Sequence, residues 1–367
     1  MLKIEENTNL APYTIYKIGG PARYFIEITN SEELQEALLF SLEKKIPFFV
    51  IGAGSNILVS DDGFQGLIIK AKDGELSVEG EQIKIGAGVM MARAVMESAK
   101  AGLSGFEWGI GVPGTVGGSV RGNAGCFGGE MKDVVDKVLV LSVHRGHSEH
   151  IRGVYTEHIR YAQCKLREES QDKLREESQD PSVASLLQDD DGVTTFELTN
   201  KECEFLYRDS IFKKHPGWVI LSATLKLKKD NPEEIKEKIK QITLERTSKQ
   251  DIGSKTCGCI FKNISWSSVG GREEFLNNFP EAEKIKDRPN IPASFLIDQA
   301  GLKGKRFGQV VISPKHANFF VNEGGATAGE VRELIKIAKD EVRRKFGAEL
   351  EEEIQYVGFK GFVQNDR

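Results

Sequence analysis

Cysteine is scarce in this 367-residue chain: Cys126, Cys164, Cys203, Cys257 and Cys259 are all there is. An odd, scattered set of five argues against a secreted disulfide framework. Long apolar runs are lacking too. The most apolar stretch, 46–53, falls far short of the ~20 residues that span a bilayer. Residues 1–10 are polar, without the apolar core of a signal peptide. Nor is there an excess of positive charge. The 50 Lys and Arg face 55 Asp and Glu, a net charge of −5, which leaves no footprint for nucleic acid and no polybasic membrane patch. The expectation is a reduced, cytoplasmic protein with neither membrane nor nucleic acid as partner. A few basic residues around an anionic small molecule still fit that balance.

What remains is ordinary for a globular protein, with 39% hydrophobic and 29% charged residues, and the length suggests two or three domains of ~150 residues. The first seventy residues read as strand–helix–strand. Asn30 is an N-cap with Glu33 completing a capping box, Leu34, Ala37, Leu38 and Leu42 mark one helical face, and 48–51 and 66–69 have strand composition. Strands follow at 83–85, 138–141, 218–221 and 223–227, with a helix over 89–100 closed by Gly102. A helix is expected over 232–247. Thr327 and Glu330 then form a capping box, Val331, Leu334, Ile335, Ala338 and Val342 an apolar stripe, and Gly347 a stop before a strand over about 350–358.

Between these regions KLREESQD occurs twice in tandem, at 165–172 and 173–180. One duplication is too short for a solenoid, so about 165–193 reads as a solvated, disordered insertion. His144, His147 and His150 follow a strand, and Gly146 marks a turn, so a hairpin tip is expected there rather than a metal site.

Glycine is abundant, 38 residues, and dense in two places. Gly109, Gly111 and Gly114 satisfy GxGxxG, a pattern that signals a Rossmann turn only if a strand precedes it and a helix opens at the third glycine. Gly117, Gly118 and Gly122 follow closely, and each costs a helix roughly 1 kcal/mol relative to alanine. The expectation is a long loop whose bare backbone meets an anion. Gly52-Ala53-Gly54-Ser55-Asn56, directly after a strand, can do the same, and it lacks the Lys-Ser/Thr of a P-loop.

These residues carry a resemblance. Residues 51–59 (IGAGSNILV), 111–119 (GVPGTVGGS), 123–125 (NAG), 207–213 (YRDSIFK) and 258–263 (GCIFKN), with 300–304, 316–322 and 350–354, are similar in order to the UDP-N-acetylenolpyruvoylglucosamine reductases. The resemblance implies an α+β architecture: a two-subdomain FAD-binding fold of the PCMH/vanillyl-alcohol-oxidase type plus a C-terminal α/β substrate domain. The units would be 1–70, 71–247 and 248–353, with 354–367 a candidate to return to the first. It implies non-covalent FAD, NADPH as reductant, and a small sugar-nucleotide substrate, in a chain expected to act as a monomer. Gly52, Ala53, Gly54, Ser55, Asn56, Pro113, Gly114, Thr115, Gly117, Gly118 and Ser119 would meet the FAD, with Asn123 and Arg246 as further candidates. Tyr207, Lys249, Lys262 and Asn263 would bind substrate.

The implied catalytic set is Arg208, Cys259 and Glu353. A guanidinium can hold a carboxylate and stabilise developing negative charge. Cys259 stands where most relatives carry serine, and a thiol is the better proton donor. Of the three acids Glu351, Glu352 and Glu353, alternation puts the first and third on one face, and Glu353 is chosen. Ile264 stands where proline is common in the family. His316, in a matched motif, reads equally as structural. No metal is expected. Two other classes fit the glycine signal: a flavin-dependent oxidase of the wider superfamily, and a flavin or sugar-nucleotide binding protein without turnover.

Overall fold

The computed structural model describes residues 2–72, 74–143, 193–251 and 253–360. The tandem repeat, the three neighbouring histidines and Cys164 lie outside them, as does the side chain of Lys249.

The first sheet runs in the order Glu5–Asn9, Pro21–Ile28, Phe64–Ala71, Phe48–Ile51; its inner pairs are parallel and Glu5–Asn9 is an antiparallel edge. Parallel pairing needs a crossover, and helix Ser31–Glu43 supplies it. Asn30 Oδ1 accepts from Glu33 N–H at 2.8 Å, while Glu33 Oε2 accepts from Thr29 N–H at 2.7 Å, one residue earlier than a capping box requires. Leu34, Ala37 and Leu38 pack on Ile26, Leu67 and Ile69.

The second sheet is antiparallel, in the order Val193–Thr199, Val135–Val143, Trp218–Lys226, Gln82–Gly86, Leu76–Glu79. Helices Met91–Lys100, Val116–Arg121 and Pro232–Lys249 cover it, burying Ala94, Val95, Val116, Val120 and Ile235 with Ile83, Ile85, Val138 and Leu225. The short helix Val116–Arg121 corrects the expected loop. Thr115 Oγ1 caps it from Gly118 N–H at 3.4 Å. Gly117 faces Ala87 so closely that a Cβ would lie 2.7 Å from the alanine methyl. Burial of Val116 and Val120 offsets the glycine penalty, each side chain contributing roughly 1.5–3 kcal/mol. The element before it is a 3₁₀ turn, Glu107–Gly111, and not a strand, so this is no Rossmann unit.

A third, three-stranded sheet (Arg306–Phe307, Val310–Ile312, Phe320–Asn322) packs with helices Arg272–Asn278, Ala293–Gln299 and Ala328–Phe346. The last helix has the expected box, with Thr327 and Glu330 bonded reciprocally at 3.1 and 3.0 Å, and Gly347 ends it at φ 64°. Asp61 reaches over from the first unit and accepts from Ala328 and Gly329 N–H at 2.8 and 3.0 Å. The final strand is shorter than expected. Only Gln355–Val357 forms one, parallel to Ile57–Val59, while Leu350 and Ile354 are anchored in the third unit's core.

Candidate active site

A cleft of about 910 Å³ runs between these units, within the size range of small-molecule sites. Its wall is made by the two glycine-rich stretches, which are built against each other. A Cβ on Gly52 would lie 2.3 Å from Thr115 Oγ1, and one on Gly114 (φ 122°) 2.8 Å from Ser55 Oγ. Ser55 Oγ donates to Pro113 O at 3.1 Å. Bare main chain is therefore obligatory where the two stretches meet. All eleven residues expected from them, Gly52 to Asn56, Pro113 to Thr115 and Gly117 to Ser119, line the cleft, and so does Arg246.

Arg208 sits in the left-handed region (φ 56°) within a turn closed by reciprocal Leu206–Asp209 main-chain bonds. Its Nη2 donates to Gly125 O at 2.8 Å and its Nε lies 3.0 Å from Glu353 Oε1. Burial works against its charge, but Glu353, Tyr207 and Cys259 outweigh this and hold its pKa above the ordinary value. Glu353 N–H donates to Ile260 O at 2.8 Å, and Asn56 Nδ2 to Glu353 O at 3.2 Å, so the residue is held between the glycine wall and the segment that carries Cys259. Burial raises the Glu353 pKa, against the pull of Arg208 and Lys213. Its neighbours point elsewhere: Glu351 pairs with Lys262 at 2.5 Å and Glu352 with Lys339 at 2.9 Å.

Cys259 follows Gly258 (φ 81°) and bridges to Phe319. Burial pushes its thiol up to about 12; Glu353 adds to the rise, and Arg208 and Arg246 oppose it. Arg208, Cys259 and Glu353 thus converge on one cleft from segments far apart in sequence.

Other expected residues do not line it. Asn123 is fully buried at φ 40°. Its Nδ2 donates to Glu130 Oε2 at 2.9 Å and to Leu206 O at 2.8 Å, while its Oδ1 accepts from Lys132 N–H at 3.0 Å. Its amide holds the Arg208 turn in place. Tyr207 OH accepts from Asn263 N–H at 3.2 Å, beside the cleft with Lys262. Lys249 is the last residue of its helix. Ile264 uses the N–H that proline lacks, donating to Ile291 O at 3.0 Å. His316 packs against Phe319 with the rings tilted by 56° and their centroids 4.5 Å apart, and burial lowers its pKa.

The lining residues outside the expected set include the polar side chains of Arg121, Lys213, Gln250 and Gln355. Arg121 Nη1 donates to Gln355 Oε1 at 2.6 Å, and burial lowers the arginine to about 10. Lys213 Nζ donates to Arg208 O at 2.5 Å. Lys213 ends the YRDSIFK motif and was open to notice; Arg121 carries no local signal. Glycine walls flanked by Arg121, Lys213 and Arg246 fit the diphosphate of a dinucleotide. Among the described residues there is no cluster suited to a metal, and no helix long and apolar enough to cross a membrane.

Residues 22–152 match the FAD binding domain family, and residues 250–357 match the UDP-N-acetylenolpyruvoylglucosamine reductase C-terminal domain family. The reductase of that name from Solibacter usitatus is 32% identical over 97% of both chains. That from Caldanaerobacter subterraneus is 31% identical over 98% of this chain and 95% of its own. The crystal structure of the Thermus caldophilus reductase superposes with a TM-score of 0.65 at 29% identity, covering 97% of this chain and 100% of that one. The architecture is the expected α+β one, an FAD-binding domain followed by the C-terminal domain of the reductases. Near-full-length likeness, the two domain matches and the glycine-walled cleft agree, and the chain belongs to the UDP-N-acetylenolpyruvoylglucosamine reductases, FAD-dependent oxidoreductases.

Proposed function

We propose that this chain reduces the enolpyruvyl group of UDP-N-acetylglucosamine enolpyruvate to give UDP-N-acetylmuramate for peptidoglycan, with NADPH as electron source. One observation carries this reading: Arg208, Cys259 and Glu353 meet on the cleft that the glycine cradle lines. Residues 52–56 and 113–119 would hold FAD along the glycine wall, and the cofactor would supply hydride chemistry for the enolpyruvyl C3.

The chain's own residues do the rest. Negative charge grows toward C2 and the carboxylate as C3 is attacked. Arg208, pinned by Gly125 and Glu353, keeps further N–H donors for that carboxylate. Cys259 holds a proton on Sγ at neutral pH, because burial pushes its pKa up to about 12, and it passes that proton to C2. The thiolate left behind faces Arg208 and Arg246, both of which favour its charge. Glu353 fixes the guanidinium and closes the polar chain to Lys213. Lys249, Lys262, Asn263 and Tyr207 serve the sugar-nucleotide side, ammonium groups suiting its diphosphate.

The test is direct. Purified protein should be yellow, release its flavin on denaturation, and consume NADPH only when the enolpyruvyl sugar nucleotide is added. Protein that stays colourless after incubation with FAD, or NADPH oxidation indifferent to the sugar nucleotide, overturns the reading.

A further inference from the structure

Two arginines that line the cleft tie residues 121–125 to residues 353–355. Arg208 donates from Nη2 to Gly125 O at 2.8 Å, and its Nε lies 3.0 Å from Glu353 Oε1. Arg121 donates from Nη1 to Gln355 Oε1 at 2.6 Å, and its carbonyl accepts from Ser210 Oγ at 2.7 Å. Glu353 and Gln355 are two residues apart, which limits their Cα separation to at most ~7 Å. The two guanidinium groups are thus anchored on neighbouring residues at both ends. They differ in charge balance. Arg208 is paired with Glu353, and that pair carries no net charge. Arg121 forms no ion pair among the described residues; Asp209, the carboxylate that acts on it, accepts instead from Ser210 N–H at 2.9 Å. Lys213 has none either, and burial and the like charge of Arg121 both lower its pKa. Two cations therefore stand in a partly buried wall without an anion, an arrangement that costs stability. Arg121 is also able to receive one. Its Nε and Nη2 have no hydrogen-bond partner among the described residues, and neither atom is shielded from water.

We infer that Arg121 is a second substrate-binding arginine, donating from Nε and Nη2 to the carboxylate of the enolpyruvyl group beside Arg208. This rests on the function proposed above. Nε–H and Nη2–H form a fork that matches the two oxygens of a carboxylate. The two arginines divide the work: Arg208, neutralised by Glu353, orients the carboxylate, and Arg121 supplies the net positive charge that holds it. The diphosphate of FAD is the competing anion. The bonds of Arg121 to Gln355 and Ser210 set it instead with the residues flanking Glu353 and Arg208.

The experiment uses the full-length chain with FAD bound, as wild type, Arg121→Met and Arg121→Lys. Dissociation constants are read from the change in flavin absorbance with two probes. UDP-N-acetylmuramate carries the carboxylate; UDP-N-acetylglucosamine has the same diphosphate and sugar without it. Arg121→Met should raise the Kd of the first probe about ten- to a hundredfold, and leave the Kd of the second, and that of FAD, within about twofold of wild type. Arg121→Lys keeps a charge and loses the fork, so its effect should fall between the two. Should the methionine variant fail to retain flavin, the lysine variant decides by the same ratio of the two Kd values.

Equal weakening of both probes overturns the inference, because it assigns Arg121 to the diphosphate. So does a rise confined to the FAD Kd, or a ratio of the two probes that does not change. A wild type that never oxidises NADPH in response to the enolpyruvyl sugar nucleotide sinks the proposed function and this inference with it. A wild type that turns over while the ratio stays unchanged sinks the inference alone.

Discussion

At the scale of single residues, Cys259 shows what burial does to a group that composition leaves ordinary. A free cysteine ionises near 8.5 and would be partly thiolate in mildly alkaline buffer. Here burial, with Glu353 beside it, carries the thiol up to about 12, so the donor keeps its proton. Cys259→Ala should slow reoxidation of the reduced enzyme by substrate by about 10²–10⁴-fold, while NADPH still bleaches the flavin; stopped-flow absorbance separates the two half-reactions. Loss of both together would show a structural role. In the same measurement, the wild-type substrate step should show no fall centred near pH 8.5, and any loss from thiol ionisation should wait until well above pH 10. A midpoint at 8.5 would contradict the buried-donor account. Arg208 and Glu353 were open to the sequence only through their motifs, since a lone arginine or one acid in a run of three reads as surface. Arg121 and Gln250 were not open at all: whether a polar side chain meets water or a cleft depends on segments hundreds of residues away, as with Arg121 and Gln355.

At the scale of elements, the glycine cradle is a packing solution between two loops. Gly52 is glycine because Thr115 occupies the space of its side chain, and neither stretch contains that information alone. Gly52→Ala should push the stretches apart and cost the protein its flavin. The expected result is a folded but largely colourless protein after gel filtration, with the wild type retaining its absorbance near 450 nm as the comparison; an alanine variant as yellow as wild type would refute it. The Asn30 cap, the Thr327–Glu330 capping box and Gly347 were legible because caps are made within four residues. Helix Val116–Arg121 was not, because its glycines are disfavoured locally and one of them, Gly117, is required by Ala87, which packs from another segment.

At the scale of the whole molecule, the chain closes on itself. Gln355–Val357 pairs with Ile57–Val59, so Glu353, two residues earlier, is delivered to a cleft whose wall begins at Gly52. The same compaction buries thiols in the second and third units: Cys126 is raised to about 11, Cys203 and Cys259 to about 12, and Cys257 further still, burial being the main cause in each. Above roughly pH 8.5 the unfolded chain releases these protons and the folded chain keeps them, so unfolding stability declines as pH rises. Their contribution is whole below that pH and is lost progressively toward 11–12. Urea midpoints should be level from pH 7 to 8 and fall clearly by pH 10; midpoints unchanged across that range would contradict it. Cys203→Ala, remote from the cleft, should flatten part of the fall.

The sequence by itself determined the helices with their own caps, the strands with their own composition, the abundance of bare backbone after residue 51 and around residue 114, and, through ordered motifs, the family. These are properties of neighbours in the chain, where propensity and capping act over a few residues. Only the tertiary structure decided which acid of the triplet enters the site, how far each thiol is desolvated, which cations line the cleft, and that a six-residue helix survives its glycines. Those outcomes depend on burial and on contacts between distant segments, and water is excluded only once the units have packed.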